Sequence, residues 1–163
     1  MTPEARLKDP EARLQHALDV SYRYLGYRDR TVLEVRRHLE GKRVEPSTID
    51  EALTTLLEQG YLDDARFARQ FAEDRRTLDA WGSDRIERKL AQAGVDPELI
   101  AVALGAQDGD AELEAAVALL QRRYRTAPEN DRERDRALGM LVRKGYGLEL
   151  AYDAVRAFER TAA

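Results

Sequence analysis

The amino-acid sequence predicts an all-α protein of about nine helices, arranged as three tandem three-helix repeats in an elongated, curved array. Three observations carry this reading. Apolar residues recur at helical spacing through nearly the whole chain; the first strongly periodic stretch places Leu14, Ala17, Leu18, Ser21, Tyr22 and Leu25 on one face. No stretch alternates strictly for long enough to read as a strand, and Ala, Leu, Arg and Glu, all good helix formers, dominate. The third observation is an internal repeat. Segments 36–53, 88–104 and 139–155 superpose on Leu39, Leu90 and Leu141 with a spacing of 51 residues both times. Val44, Val95 and Tyr146 then coincide, as do Ile49, Ile100 and Ala151, and Leu53, Leu104 and Val155; Ala52, Ala103 and Ala154 are the small residue of the same helix.

Each repeat reads as one long helix followed by two short ones. Residues 1–10 are a flexible N-terminal tail, 11–61 the first repeat, 62–107 the second and 108–163 the third. The first long helix spans about 11–26. The helix after it runs from Thr31 to about Gly41, with Val32, Val35 and Leu39 as its apolar stripe. Gly94 and Gly145 stand four residues past the last core leucine of their helices, where a glycine can end a helix in the left-handed conformation. The first copy has Arg43 there, with Gly41 two residues earlier. Glu45-Pro46-Ser47 and Asp96-Pro97-Glu98 restart a helix, the second with Asp96 as N-cap and Pro97 at the first helical position. Leu62-Asp63-Asp64 opens the second long helix, 63–79, and Asp108-Gly109-Asp110 the third, 108–125, because a carboxylate there accepts free N–H groups and favours the helix dipole. Ala127-Pro128-Glu129-Asn130 is a longer connection inside the third repeat. A three-helix unit this small buries little surface alone; three in tandem share interfaces and present a long surface suited to a long partner.

Composition excludes several function classes. The 163 residues contain no cysteine, so disulfides, thiolate-bound metals and thiol nucleophiles are absent. No stretch approaches the roughly 18 apolar residues of a membrane span, and the charged N-terminus lacks the apolar core of a signal peptide. A cytoplasmic, membrane-free protein is expected, acting as a monomer. Net charge is −4, with acidic groups slightly outnumbering basic ones in each repeat, so nucleic-acid contact must use a local patch or come through a protein partner. His16 and His38 lie on different helices without metal-ligand spacing. Ser21, Ser47 and Ser83 occupy no nucleophile elbow, and there is no phosphate-binding glycine loop after a strand. Gly145-Tyr146-Gly147 reads as a helix cap, and Asp63-Asp64 as a helix start rather than a metal pair. The chain is read as a non-enzyme without cofactor or metal.

The candidate binding residues are basic. The densest stretch holds Arg28, Arg30, Arg36, Arg37, Lys42 and Arg43 against Asp29, Glu34 and Glu40. The second repeat offers Arg75, Arg76, Arg85, Arg88 and Lys89, and the third Arg143 and Lys144, near Arg122, Arg123 and Arg125. With 36% charged residues, each such face also reads as a solvated helix surface laced by ion pairs. Tyr22, Tyr24 and Tyr27 could stack on bases, but their spacing favours core packing. Trp81, in Leu78-Asp79-Ala80-Trp81-Gly82 between helices, is the aromatic placed to stand exposed and anchor a partner.

Three motifs resemble the RecX family of bacterial recombinase regulators: Tyr27-Arg28-Asp29-Arg30-Thr31 leading to Glu34 and Leu39; Gly60-Tyr61-Leu62-Asp63-Asp64-Ala65-Arg66-Phe67-Ala68, the most specific; and Gly82 through Arg85-Ile86 and Leu90 to Gly94-Val95. Leu141 with Lys144-Gly145-Tyr146 is similar to that family's third repeat, and the resemblance spans about 14–160. It implies a nine-helix fold and a non-enzymatic protein that binds the RecA–DNA filament, lies along its groove, and suppresses ATP hydrolysis, strand exchange and co-protease activity. RecA is then the partner, with DNA secondary and within the filament. The chain departs from the family pattern at Arg43 and in the long 127–130 connection. The shared motifs are core and cap positions, so they assign no contact residue; the basic residues and Trp81 named above are the candidates. Two alternatives remain: a free DNA-binding protein of helix-turn-helix type, against which the net charge argues, and a helical-repeat adaptor for an unrelated protein.

Overall fold

A computed structural model describes residues 9–162, and among these the chain forms nine α-helices and no strand. They are α1 (Pro10–Leu25), α2 (Val32–Gly41), α3 (Pro46–Glu58), α4 (Asp64–Asp79), α5 (Ser83–Gln92), α6 (Pro97–Leu104), α7 (Gly109–Arg123), α8 (Asp131–Lys144) and α9 (Leu148–Thr161). Of the expected tail, residues 1–8 lie outside the described residues. Asp9 caps α1 by accepting from Glu11 N–H, and Pro10 takes the first helical position.

Local chemistry sets most helix starts. Thr31 and Glu34 form a capping box on α2: Thr31 Oγ1 accepts from Glu34 N–H (3.1 Å) and Glu34 Oε1 accepts from Thr31 N–H (3.0 Å). Asp108 accepts from Ala111 N–H on α7, and Asn130, at the end of the long connection, accepts from Glu133 N–H on α8. Glu45 precedes α3 without a side-chain cap, and Pro46 begins the helix.

Helix ends follow the repeat. Gly94 and Gly145 are left-handed, at φ +87° and +102°, and Arg43 takes the same region at φ +59° although it bears a Cβ. The backbone thus keeps the repeat conformation where the residue has changed. The superposed core positions behave alike: Leu39, Leu90 and Leu141 are fully buried, as are Ala52, Ala103 and Ala154, while Val44 and Leu104 are half-buried. Ser21 shares the buried face of α1 because its hydroxyl donates to Ala17 O, one turn back.

The chain divides into two compact units. The first runs to Phe67 and takes in Ala93–Asp96; its core joins Ala17 and Leu18 of α1, Val35 and Leu39 of α2, and Ile49, Leu53 and Leu56 of α3. The second comprises Ala68–Gln92 and Pro97 onward, with a core of Leu119 and Leu120 of α7, Leu138 and Leu141 of α8, Tyr146, and Val155 and Phe158 of α9.

One joint occurs in both units, 51 residues apart. In the first, Thr31 Oγ1 donates to Ala93 O (2.6 Å), and Gly94 lies so close to Leu33 that a Cβ would sit 2.5 Å from that of Leu33. In the second, Gly82 N–H donates to Lys144 O (2.8 Å), Asp84 N–H donates to Gly145 O (2.9 Å), and a Cβ on Gly145 would sit 2.3 Å from that of Arg85. In the second joint free amides at a helix start thereby meet free carbonyls at a helix end, satisfying both, and in the first a hydroxyl takes the donor's part. No helix among the described residues is long and apolar enough to cross a membrane.

Candidate functional site

The joint of the second unit brings cations together. It fixes the first turn of α5 against the last turn of α8, so Arg85 meets Arg143 and Lys144, 58 residues away for Arg143. Arg123, the last residue of α7, reaches the same place. These four cations, with Leu119 and Met140, line a cleft of about 280 Å³. Leu119 and Met140 are buried and make an apolar floor. No carboxylate lines the cleft, and none of the four cations enters an ion pair among the described residues. Arg123, Arg143 and Lys144 stand at helix C-termini, where the dipole favours positive charge. Four like charges around one opening make a local positive potential that the net charge of −4 conceals.

Arg85 is held in place. Its guanidinium lies 4.0 Å over the Trp81 ring, and its Nη1 donates to Arg143 O (3.4 Å). Trp81 is half-buried rather than fully exposed as expected, because Phe71 meets it edge-on (centroids 6.1 Å apart) and Arg75 and Arg85 cover it. The strap carrying Trp81 is tied on both sides. Lys144 Nζ donates to Asp79 O, Tyr146 Oη donates to Ala80 O (2.9 Å), and Ser83 N–H donates to Glu112 of α7. Burial pushes the Tyr146 phenol up to about 12, so it keeps its proton and that hydrogen bond at neutral pH.

The other predicted residues do not line the cleft. Arg75 pairs with Asp79, and Arg76 is half-buried, donating to Leu104 O at the end of α6. Arg88 and Lys89 are exposed on α5 without an ion-pair partner among the described residues. In the first unit Arg28 pairs with Glu34 (2.5 Å) and Arg36 with Asp50 (3.1 Å), the local pairing of a solvated helix face. Arg30 stacks on Tyr24 (3.9 Å), whose ring also lies parallel to His38 (3.9 Å). Arg37, Lys42 and Arg43 are exposed. Within the dense basic stretch Arg28 and Arg36 are thus paired, while Arg37, Lys42 and Arg43 are open to solvent.

One tyrosine corrects an expectation. Tyr27 is 82% exposed, since it follows the end of α1, whereas Tyr22 and Tyr24 pack half-buried against the core of the first unit. Tyr22 meets Tyr61 edge-on and donates to Gln59 Oε1. His16 is exposed; burial, helped by the positive charges of Lys42 and Arg30, holds the His38 imidazole below its ordinary range. Among the described residues no three His, Asp or Glu side chains converge on a metal position.

The joint of the first unit carries the opposite charge. The repeat counterpart of Arg85 is Glu34, and those of Arg143 and Lys144 are Gln92 and Ala93. Asp64 accepts from Val32 N–H (3.0 Å) beside Asp63, Asp96 and Glu34. Burial pushes the Asp64 carboxyl up, the hydrogen bond opposes this, and the neighbouring carboxylates add to the rise. Burial also pushes Glu34 up, but hydrogen bonds from Arg28 and Thr31 N–H, with the charges of Arg28 and Arg30, outweigh it and hold Glu34 below its ordinary value.

Of the candidates legible in the sequence, the structure assembles Trp81, Arg85, Arg143 and Lys144. Arg123 is legible there only as a neighbouring basic residue, and Leu119 and Met140 not as site residues at all. The signal available was the spacing of 119 to 123 on α7 and of 140 to 143 and 144 on α8, which puts each apolar residue beside a terminal cation.

Comparison with known proteins places this architecture. Residues 17–56, 63–104 and 110–155 match models of the first, second and third three-helix domains of RecX, in that order. The regulatory protein RecX of Mycolicibacterium smegmatis is 34% identical over 154 residues, covering 91% of this chain and 82% of the relative. That of Deinococcus radiodurans is 32% identical, covering 94% and 72%. The crystal structure of RecX from Lactobacillus salivarius superposes with a TM-score of 0.80 at 18% identity over 91% of this chain and 97% of the other, which shows a shared fold. With three domain models matched in tandem and relatives above 30% identity along nearly its whole length, the chain belongs to the RecX family of regulatory proteins.

Proposed function

We propose that this chain is a non-enzymatic, monomeric, cytoplasmic regulator that binds the RecA–DNA nucleoprotein filament and inhibits its ATPase, strand-exchange and co-protease activities, thereby modulating recombination and repair. The observation that carries the reading is the ordered match of all three RecX domains over residues 17–155. The charge distribution supports it: an acidic joint in one unit and a cationic cleft in the other suit a surface made of both protein and nucleic acid. The modules 11–61, 62–107 and 108–163 would each contribute contact surface.

The test is single-stranded-DNA-dependent ATP hydrolysis by the cognate RecA, with and without the chain. Wild-type protein should suppress turnover at stoichiometric or lower amounts. No suppression at large excess, with helical circular dichroism intact, would overturn the proposal.

A further inference from the structure

We propose that the cleft of the second unit is the chain's phosphodiester seat, and that nucleic acid is held at this one joint rather than along the repeats. The proposal rests on the filament reading for its setting and names the ligand chemistry of one site within it. Arg85, Arg123, Arg143 and Lys144 converge without a carboxylate. Three are arginines, whose planar forks match phosphate oxygens. The repeat offers an equivalent joint in the first unit, closed by the Thr31 hydroxyl on Ala93 O, yet there Glu34 replaces Arg85 and acidic side chains cluster, so that joint repels a phosphate.

A nucleic acid suits the cleft better than an acidic peptide. The floor of Leu119 and Met140 gives apolar surface for a sugar, and the guanidinium resting on Trp81 offers a flat face for a base. Trp81 acts as a positioning residue: it fixes Arg85 before a ligand arrives, so less side-chain freedom is lost on binding.

Trp81 is the sole tryptophan, so its fluorescence reads the site directly. The full chain is titrated, without recombinase, with an oligothymidylate of about twelve nucleotides, with inorganic polyphosphate and with oligoglutamate. Saturable change in Trp81 emission by oligothymidylate is expected, with a slope of log K against log salt between about −2 and −3, from three or four phosphate contacts at about −0.7 each. Arg123→Ala/Arg143→Ala, which leaves the Trp81–Arg85 stack in place, should weaken binding at least about tenfold, since a charge-assisted hydrogen bond carries that much. By anisotropy of a labelled oligothymidylate, Trp81→Phe should weaken binding several-fold while Arg85→Lys fails to restore wild-type affinity. Arg37→Ala/Lys42→Ala in the first unit should change affinity less than twofold. Equal weakening by that pair would show binding spread along the chain and overturn the proposal. Oligoglutamate binding as tightly would reassign the cleft to a protein, and polyphosphate binding as tightly would reassign it to free phosphates. Failure of the seat with ATPase suppression retained would leave the filament reading standing.

Discussion

Replacing Gly145 with alanine tests the joint on which the cleft depends. Gly145 is at φ +102°, where a Cβ-bearing residue is strained by about 1–2 kcal/mol. The added Cβ would meet Arg85 N at 2.7 Å and Gly82 O at 2.9 Å, backbone atoms that cannot swing aside. Relief requires α5 to move off α8, lengthening the Gly82 N–H to Lys144 O and Asp84 N–H to Gly145 O bonds. Each is worth about 1 kcal/mol net. The expected destabilisation is about 3–4 kcal/mol, or roughly a 10 °C fall in Tm for a chain of this size. Urea denaturation followed by circular dichroism and by Trp81 emission measures it. Arg43→Gly at the equivalent repeat position serves as the opposite case. Arg43 is exposed at φ +59°, so glycine relieves strain and loosens the unfolded chain, with a net gain of roughly 0.5 kcal/mol. A Gly145→Ala protein within about 0.5 kcal/mol of wild type would refute the argument, because that is the range of an indifferent surface change.

Three further variants have expected outcomes. Tyr146→Phe leaves Ala80 O without its partner and should cost about 1–2 kcal/mol in urea denaturation. The Tyr146 phenol is raised in the folded state, so its contribution is full below the ordinary phenol value of 10 and is lost as pH rises toward 12; alkaline unfolding of wild type, weaker in Tyr146→Phe, checks this. Glu34 is depressed in the folded state, so its stabilisation is present above its ordinary value of 4.5 and is lost as pH falls below it; Glu34→Gln, which can still accept from Thr31 N–H, should show a shallower acid decline of the urea midpoint. Thr31→Ala removes the cap of α2 and the bond to Ala93 O together, and should lower stability by about 2 kcal/mol by the same assay.

Much of the scaffold was legible because it is written in short-range chemistry. The 51-residue frame placed Leu39, Leu90 and Leu141 in the core and the left-handed turn at 94 and 145, and it marked Arg43 as the copy out of pattern. Asp108 announced α7 by its position before an apolar run. The site was less legible because its members are joined by tertiary contacts. Gly82 and Gly145 are recognisable as helix punctuation, but nothing local says that one backbone rests on the other. In the densest basic stretch, pairing is likewise tertiary and partial: Arg28 finds Glu34 six residues on and Arg36 finds Asp50 across a helix pair, while Arg37, Lys42 and Arg43 stay exposed.

The two joints show how one repeated arrangement can carry opposite charge. What holds each is backbone chemistry and close approach: an amide or hydroxyl at a helix start donates to a carbonyl at a helix end, beside a glycine that admits the neighbouring element. None of those bonds needs the identity of the side chain at 34 or 85. Charge at that position is therefore free to vary while the fold is kept. Glu34 is drawn into the capping box of its own helix and into its pair with Arg28. Arg85 has no carboxylate to satisfy, and the aromatic ring four residues before it holds its charge toward an opening where three more cations gather. Reversing the charge at Arg85 alone would keep the backbone bonds of the joint and remove the attraction, so loss of ligand with no more than the small cost of the lost Trp81 stack, about 1 kcal/mol, separates the site from the scaffold that carries it.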